Sequence, residues 1–181
     1  MAQKLMETTN KKAHINKGLI IGAILIMCDV TIQLSHLQFS NWTIYLSSSL
    51  LAVGIIVAVL WHNYSLKGQI LFSELFGYGF KVTAVAVCIL FIYMLLELNL
   101  LFPNYVNQLF NQYVDALKQQ HSDKVDAVIA NKATFIKVQH IIIVSRTVMI
   151  NLAIGIVGSL IGSMIKLVQD KMINRKIKES I

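Results

Sequence analysis

The chain has 181 residues, 56% of them apolar, and a mean hydropathy of +0.64. One proline and nine glycines leave no room for a loop-rich domain, and the net charge of +7 is concentrated beside apolar runs, which argues against nucleic acid as its target. The two cysteines, Cys28 and Cys88, sit inside apolar runs, so they are read as buried space-filling thiols and not as staples of an exported module.

Four apolar stretches dominate, at 18–37, 44–61, 82–101 and 141–165. Each is long enough to cross a hydrocarbon layer of ~30 Å at ~1.5 Å per helical residue. The first is too long for a signal-peptide core, contains Asp29 and is not followed by a small-residue cleavage site, so it is expected to remain as an anchor. Trp42 and Tyr45 mark one end of the second stretch, Trp61 and Tyr64 the other, as in an aromatic belt. The third is expected to start ahead of its apolar core, with Ser73 as N-cap and Glu74 complementing the positive helix end. Residues 74–101 would then rise ~42 Å, so the helix tilts or its first turns lie in the interface.

Between the third and fourth stretches, Val106, Leu109, Phe110, Tyr113 and Leu117 follow helical i, i+3, i+4 spacing. His121, Ser122 and Asp123 make a break with Ser122 as an N-cap, and Val125, Val128, Ile129, Lys132 and Ile136 form a second stripe. The expectation is a helical hairpin that caps the bundle or docks a partner. Basic residues stand before the first span (Lys4, Lys11, Lys12, Lys17), in the second connection (Lys67, with Lys81 on the same side) and after the last span (Lys166, Lys171, Arg175, Lys176, Lys178). The first connection has none, and the third has Lys118, Lys124, Lys132 and Lys137 offset by Asp115, Asp123 and Asp126. The positive-inside rule therefore puts both termini in the cytoplasm and the 103–140 segment outside.

The fold class read from these signals is an all-α polytopic membrane protein. It has a basic tail at 1–17, transmembrane helices one to three within 18–102, an external helical segment at 103–140, helix four at 141–165 and a second basic tail at 166–181. Within the spans, Asp29, Glu97 and Arg146 are the costly residues, at roughly 2.5–3.5 kcal/mol each at mid-helix. The topology places all three in the outer half as a candidate charge cluster. They would act as an ion pair fixing helix register or as a proton- or ion-responsive site, or else snorkel to the surface without meeting. Helix four carries Gly155, Ser159 and Ser163 on one row and Gly158 and Gly162 on the next, a small-residue pattern that lets helix backbones approach in lipid. Packing within the chain and association with another membrane subunit both use such faces. Gly18 with Gly22, and Gly54 with Ala58, offer similar faces on helices one and two. His36, His62 and His140 stand at span boundaries without metal-ligand spacing, and Gly77 and Gly79 lack the strand and third glycine of a dinucleotide site.

Several stretches together resemble a bacterial membrane family known as domain of unknown function 4199. They are Asn16-Lys17-Gly18-Leu19-Ile20-Ile21-Gly22, then Leu71-Phe72-Ser73-Glu74-Leu75-Phe76-Gly77-Tyr78-Gly79-Phe80, the helical segment after Pro103, and the run from Gly155 to Lys166. The resemblance implies a bacterial inner-membrane four-helix protein and brings with it no reaction, ligand or catalytic residue. Tetraspanins share the helix count, but their cysteine-rich external loop is absent. The function expected is that of a non-enzymatic accessory subunit in a larger membrane assembly, without cofactor, metal or nucleic acid. Its partners would be the bilayer and another membrane protein or a second copy. The alternative is a small transporter or channel component using the intramembrane charges.

Overall fold

The computed structural model describes the backbone of residues 2–35, 37, 41–66, 70–121 and 123–179, and the side chains of 12–35, 37, 42–43, 45–66, 70–121 and 123–168. His36, Lys67 and Ser122, and the side chains of Lys4, Lys11, Lys171, Arg175, Lys176 and Lys178, lie outside them. The described residues are almost entirely helical, without strands. The helices are α1 (Ala2–Leu34), α2 (Asn41–Ser65), α3 (Phe72–Leu96), α4 (Tyr105–Gln119), α5 (Val125–Ala130) and α6 (Lys132–Glu179). Four segments are long and apolar enough to cross a membrane: Lys12–Leu34, Tyr45–Ser65, Phe72–Leu101 and Lys132–Val168.

Two compact units divide the chain, one of residues 1–90 with 150–181, the other of residues 91–149. The first is a four-helix core of α1, α2, most of α3 and the second half of α6. Leu51, Ile55 and Val59 of α2 and Leu75 and Val82 of α3 are fully buried there. Its outer surface is apolar instead of polar: Met27, Val53, Val57, Leu160 and Met164 are all exposed. Trp42, Tyr45, Trp61 and Tyr64 are exposed as well, as membrane-boundary anchors require.

α3 starts two residues earlier than its sequence signal. Ser73 is not the cap but lies in the first turn, because the helix begins at Phe72. The Glu74 carboxylate, three residues into the helix, reaches back to accept the Leu71 N–H at 3.4 Å, which is one half of a capping box. The cysteine reading is also corrected in part: Cys28 is half-buried, but Cys88 is exposed, and both thiols are free.

In the second unit, α3 widens into a π-helical turn at Glu97–Leu101, closed by the Phe102 N–H donating to the Glu97 carbonyl at 2.8 Å. Pro103 disfavours helical dihedrals at Phe102, and the helix ends there with φ −131°. α4 then buries Val106, Phe110 and Val114 along one face. Phe135 at the start of α6 meets Phe110 edge-on at 5.3 Å and stacks on Tyr113 at 5.5 Å. The break expected at residues 121–123 is present, with His121 in the left-handed region at φ 49° just past the end of α4. α5 buries no residue. α6 begins at Lys132 and continues without interruption through the apolar run, so the second stripe is divided: Val125, Val128 and Ile129 lie on α5, while Lys132 and Ile136 share one helix with the fourth span.

Phe135 is the clamp between α4 and α6, and each aromatic pair is worth ~0.5–1.5 kcal/mol beyond its buried area. Phe135→Leu removes both pairs at once. Amide hydrogen exchange in α4 is expected to accelerate while that of α2 is unchanged; equal protection of α4 in the variant would contradict the clamp.

Candidate functional site

The small residues of α6 form two adjacent rows in the first unit, and each row meets a different helix. Gly155 and Ser159 face α3, and Ser163, one turn further along the same row, is fully buried. A Cβ at Gly155 would overlap the Thr83 methyl and stand 2.6 Å from Thr83 Oγ1. Gly158 and Gly162 face α2, where a Cβ at Gly158 would stand 3.2 Å from the Ala52 carbonyl oxygen and one at Gly162 would stand 2.9 Å from Val59. Gly79 of α3 is the junction of all three helices, since a Cβ there would collide with both Ser159 and Val59. The other predicted faces are used the same way: Gly18 and Gly22 of α1 abut Val85 and Ile89 of α3, and Gly54 of α2 abuts Ile21 of α1.

Burying hydroxyls between helices requires that their hydrogen bonds be met internally. Ser159 Oγ donates to the Gly155 carbonyl at 2.7 Å, Ser163 Oγ to Ser159 at 2.8 Å, and Thr83 Oγ1 to Gly79 at 3.0 Å. Each hydroxyl folds back on its own helix, four residues earlier, so all three are fully buried yet satisfied.

One end of this seam carries polar side chains that sequence reasoning did not assign to packing. Lys166, read as the first residue of a solvated basic tail, is buried, and its ammonium donates to the Ile70 carbonyl in the connection ahead of α3. Only its position four residues beyond Gly162, one turn along the small-residue face, could have indicated this. His62 of α2 stacks on Tyr78 of α3 with ring centroids 3.7 Å apart and planes 5° from parallel. Lys17 of α1 lies over the Trp61 ring of α2, 4.5 Å from its centroid.

The three intramembrane charges fall in different units. Asp29 is half-buried in the first, and Glu97 and Arg146 belong to the second. Glu97 is buried at the first position of the π-helical turn, whereas Arg146 is exposed. Asp29 and Glu97 each have a noncovalent partner within the structure. Among the described residues, no group of His, Cys, Asp and Glu is arranged to hold a metal ion.

Four helices able to cross a membrane, joined through small-residue contacts and carrying one amphipathic helical insertion, define the class: an all-helical chain of multi-pass type. The model of the family described as protein of unknown function DUF4199 matches residues 16–166, and the chain belongs to that family. No match was found among curated proteins or among solved structures.

The glycines rank by what a methyl group would meet. Gly155→Ala and Gly79→Ala drive a Cβ into side chains on neighbouring helices and should each cost about 1–3 kcal/mol as overpacking. Gly77, with nothing within 4 Å of an added Cβ, should tolerate alanine and gain up to ~1 kcal/mol of helix propensity. Thermal unfolding in detergent reads this order, and equal melting of Gly155→Ala and Gly77→Ala would refute the packing.

The lysine makes a separate test. Lys166→Met keeps the apolar stem but leaves the Ile70 carbonyl without that donor, at a cost of ~1–3 kcal/mol. The variant should melt lower and be cut faster by trypsin after Lys67; an unchanged cleavage rate would show that the bond does not restrain the connection.

Proposed function

We propose that this chain is a multi-pass protein of the bacterial inner membrane, with both termini in the cytoplasm, that serves as a non-enzymatic accessory subunit of a larger membrane assembly. The observation that carries the reading is the contrast between its two surfaces. The small-residue rows of α6 are consumed inside the chain, against Thr83, Ala52 and Val59, and so are not left over for a partner. The connection between the third and fourth candidate spans is instead held by the Phe135 clamp, while α5 buries nothing and leaves Ile129 at 47% exposure. A folded connection between two candidate spans with an apolar side chain turned outward is suited to contact with another protein. The exposed apolar belt of the first unit supports the membrane location, since a water-soluble protein does not leave side chains such as Met27 (70%), Val53 (58%) and Val57 (52%) exposed in such number. The concentration of Lys and Arg in the two tails supports the orientation, against a 103–140 segment whose Lys118, Lys124, Lys132 and Lys137 are offset by Asp115, Asp123 and Asp126.

A transporter or channel component is the second reading, favoured by one observation. Glu97 is a buried carboxylate in a span, and it opens a π-helical turn, a distortion that recurs at functional sites.

Two measurements test the leading proposal. Cysteine labelling at Lys118 and Lys178 should find them on opposite sides of the membrane, and external labelling at Lys178 would overturn the orientation. Purification from the native membrane in mild detergent should yield a second chain in fixed stoichiometry. Ile129→Glu should lose it at least about tenfold, about 1.4 kcal/mol, while melting as the parent does. A chain that purifies alone, or an Ile129→Glu variant that keeps its companion, would overturn the accessory role.

A further inference from the structure

We propose that the outer edge between α1 and α2 is a binding site for one anionic phospholipid, its phosphate held at Lys17, Trp61 and Tyr64 and an acyl chain lying in the groove beside them. The inference rests on the reading that these helices cross a membrane. Lys17 and Trp61 are brought together across the seam, with the ammonium 4.5 Å from the ring centroid. An ammonium carries three N–H groups, and contact with one indole face does not use them all, so it remains a donor to a phosphate. Among the described residues, no salt bridge joins Lys17 to a carboxylate. Trp61 and Tyr64 are 62% and 86% exposed, three residues apart on one face of α2, and they add an indole N–H and a phenol as further donors.

The groove follows from helical spacing on the two helices. Along α1, Ile20 and Ile24 continue the line of Lys17 on the side away from Gly18 and Gly22, which face α3. Along α2, Val57 and Val53 continue the line of Trp61 on the side away from Ile55 and Val59, which face inward. All four are about half exposed, and Ile21 against Gly54 forms the floor between them. An apolar trough leading from a cationic, donor-rich mouth at the aromatic belt has the chemistry of a phospholipid: a headgroup at the boundary and a chain below. A second copy of the protein is a poor occupant, because a two-fold contact through this edge would set one Lys17 near the other.

Native mass spectrometry of the detergent-purified chain tests the site with phosphatidylglycerol, phosphatidylcholine and glycerol phosphate as separate probes. The wild type should retain phosphatidylglycerol over phosphatidylcholine by roughly fivefold, the factor one surface lysine supplies. Lys17→Gln should abolish that preference, and Trp61→Leu should lower retention of both lipids. Lys81→Gln, an exposed lysine of α3 outside the groove, should change neither. Retained preference in Lys17→Gln, an equal loss in Lys81→Gln, binding of glycerol phosphate as strong as that of the lipid, or a lipid-free dimer would each overturn the proposal. Flotation with pure phosphatidylcholine vesicles separates the two readings. A chain that does not float defeats the membrane reading itself, whereas one that floats without a phosphatidylglycerol preference defeats only the site.

Discussion

The first unit depends on backbone approach between α6 and its two neighbours. In lipid, side chains gain nothing by leaving one apolar medium for another, so helix association rests on van der Waals contact and on interhelical fit. Contact of that kind falls off within an ångström, so it rewards helices that carry little between their axes. Gly155 accommodates the branched Thr83 side chain, Gly158 lies against the Ala52 backbone, and Gly162 takes Val59. The ridge of one helix is supplied by β-branched residues and the groove of the other by glycine and serine. Gly79 extends the scheme to a three-helix junction. The buried hydroxyls do not oppose it, because each is already bonded to its own helix.

That seam explains why polar groups at one end of the unit are ordered. Where α6 leaves the close-packed region, Lys166 turns to the Ile70 carbonyl and ties the fourth span to the connection that opens α3. Glu74 secures the same helix start through the Leu71 N–H. His62 on Tyr78 and Lys17 on Trp61 then link α2 to α3 and α1 to α2 through ring faces, which suit a boundary where one side of a residue is apolar and the other wet.

Much of this was legible in the chain. Apolar runs of bilayer length announce four spans, and their identity as helices needs no tertiary information, because an isolated span must satisfy its own backbone. The small residues at 155, 158, 159, 162 and 163 were legible as a packing face from their spacing, but not which helix each row would meet, since spacing on one helix does not name its partner. Ser73 misled because a good capping residue lies next to a carboxylate that caps two residues earlier, at Leu71. Lys166 misled for a related reason: a lysine following an apolar run reads as a solvated charge unless the carbonyl that will receive it is known. The π-helical turn at Glu97 had no signal beyond Pro103 downstream. Asp29, Glu97 and Arg146 stood out by the cost of burying charge, a property of single residues, whereas a cluster is a property of distances.

The central claim is that the glycine rows of α6 pack against helices of the same chain. A Cβ at Gly158 would stand 3.5 Å from the Cβ of Ile55, at the near edge of the ~3.5–4.5 Å that a disulfide spans. In a chain whose Cys28 and Cys88 are replaced by alanine, Ile55→Cys with Gly158→Cys should oxidise in the membrane to a cross-linked monomer, seen as a shifted band that reverts on reduction. A reducible dimer, or two thiols that stay free under oxidant, would place another molecule or lipid against this face of α6 and contradict the account.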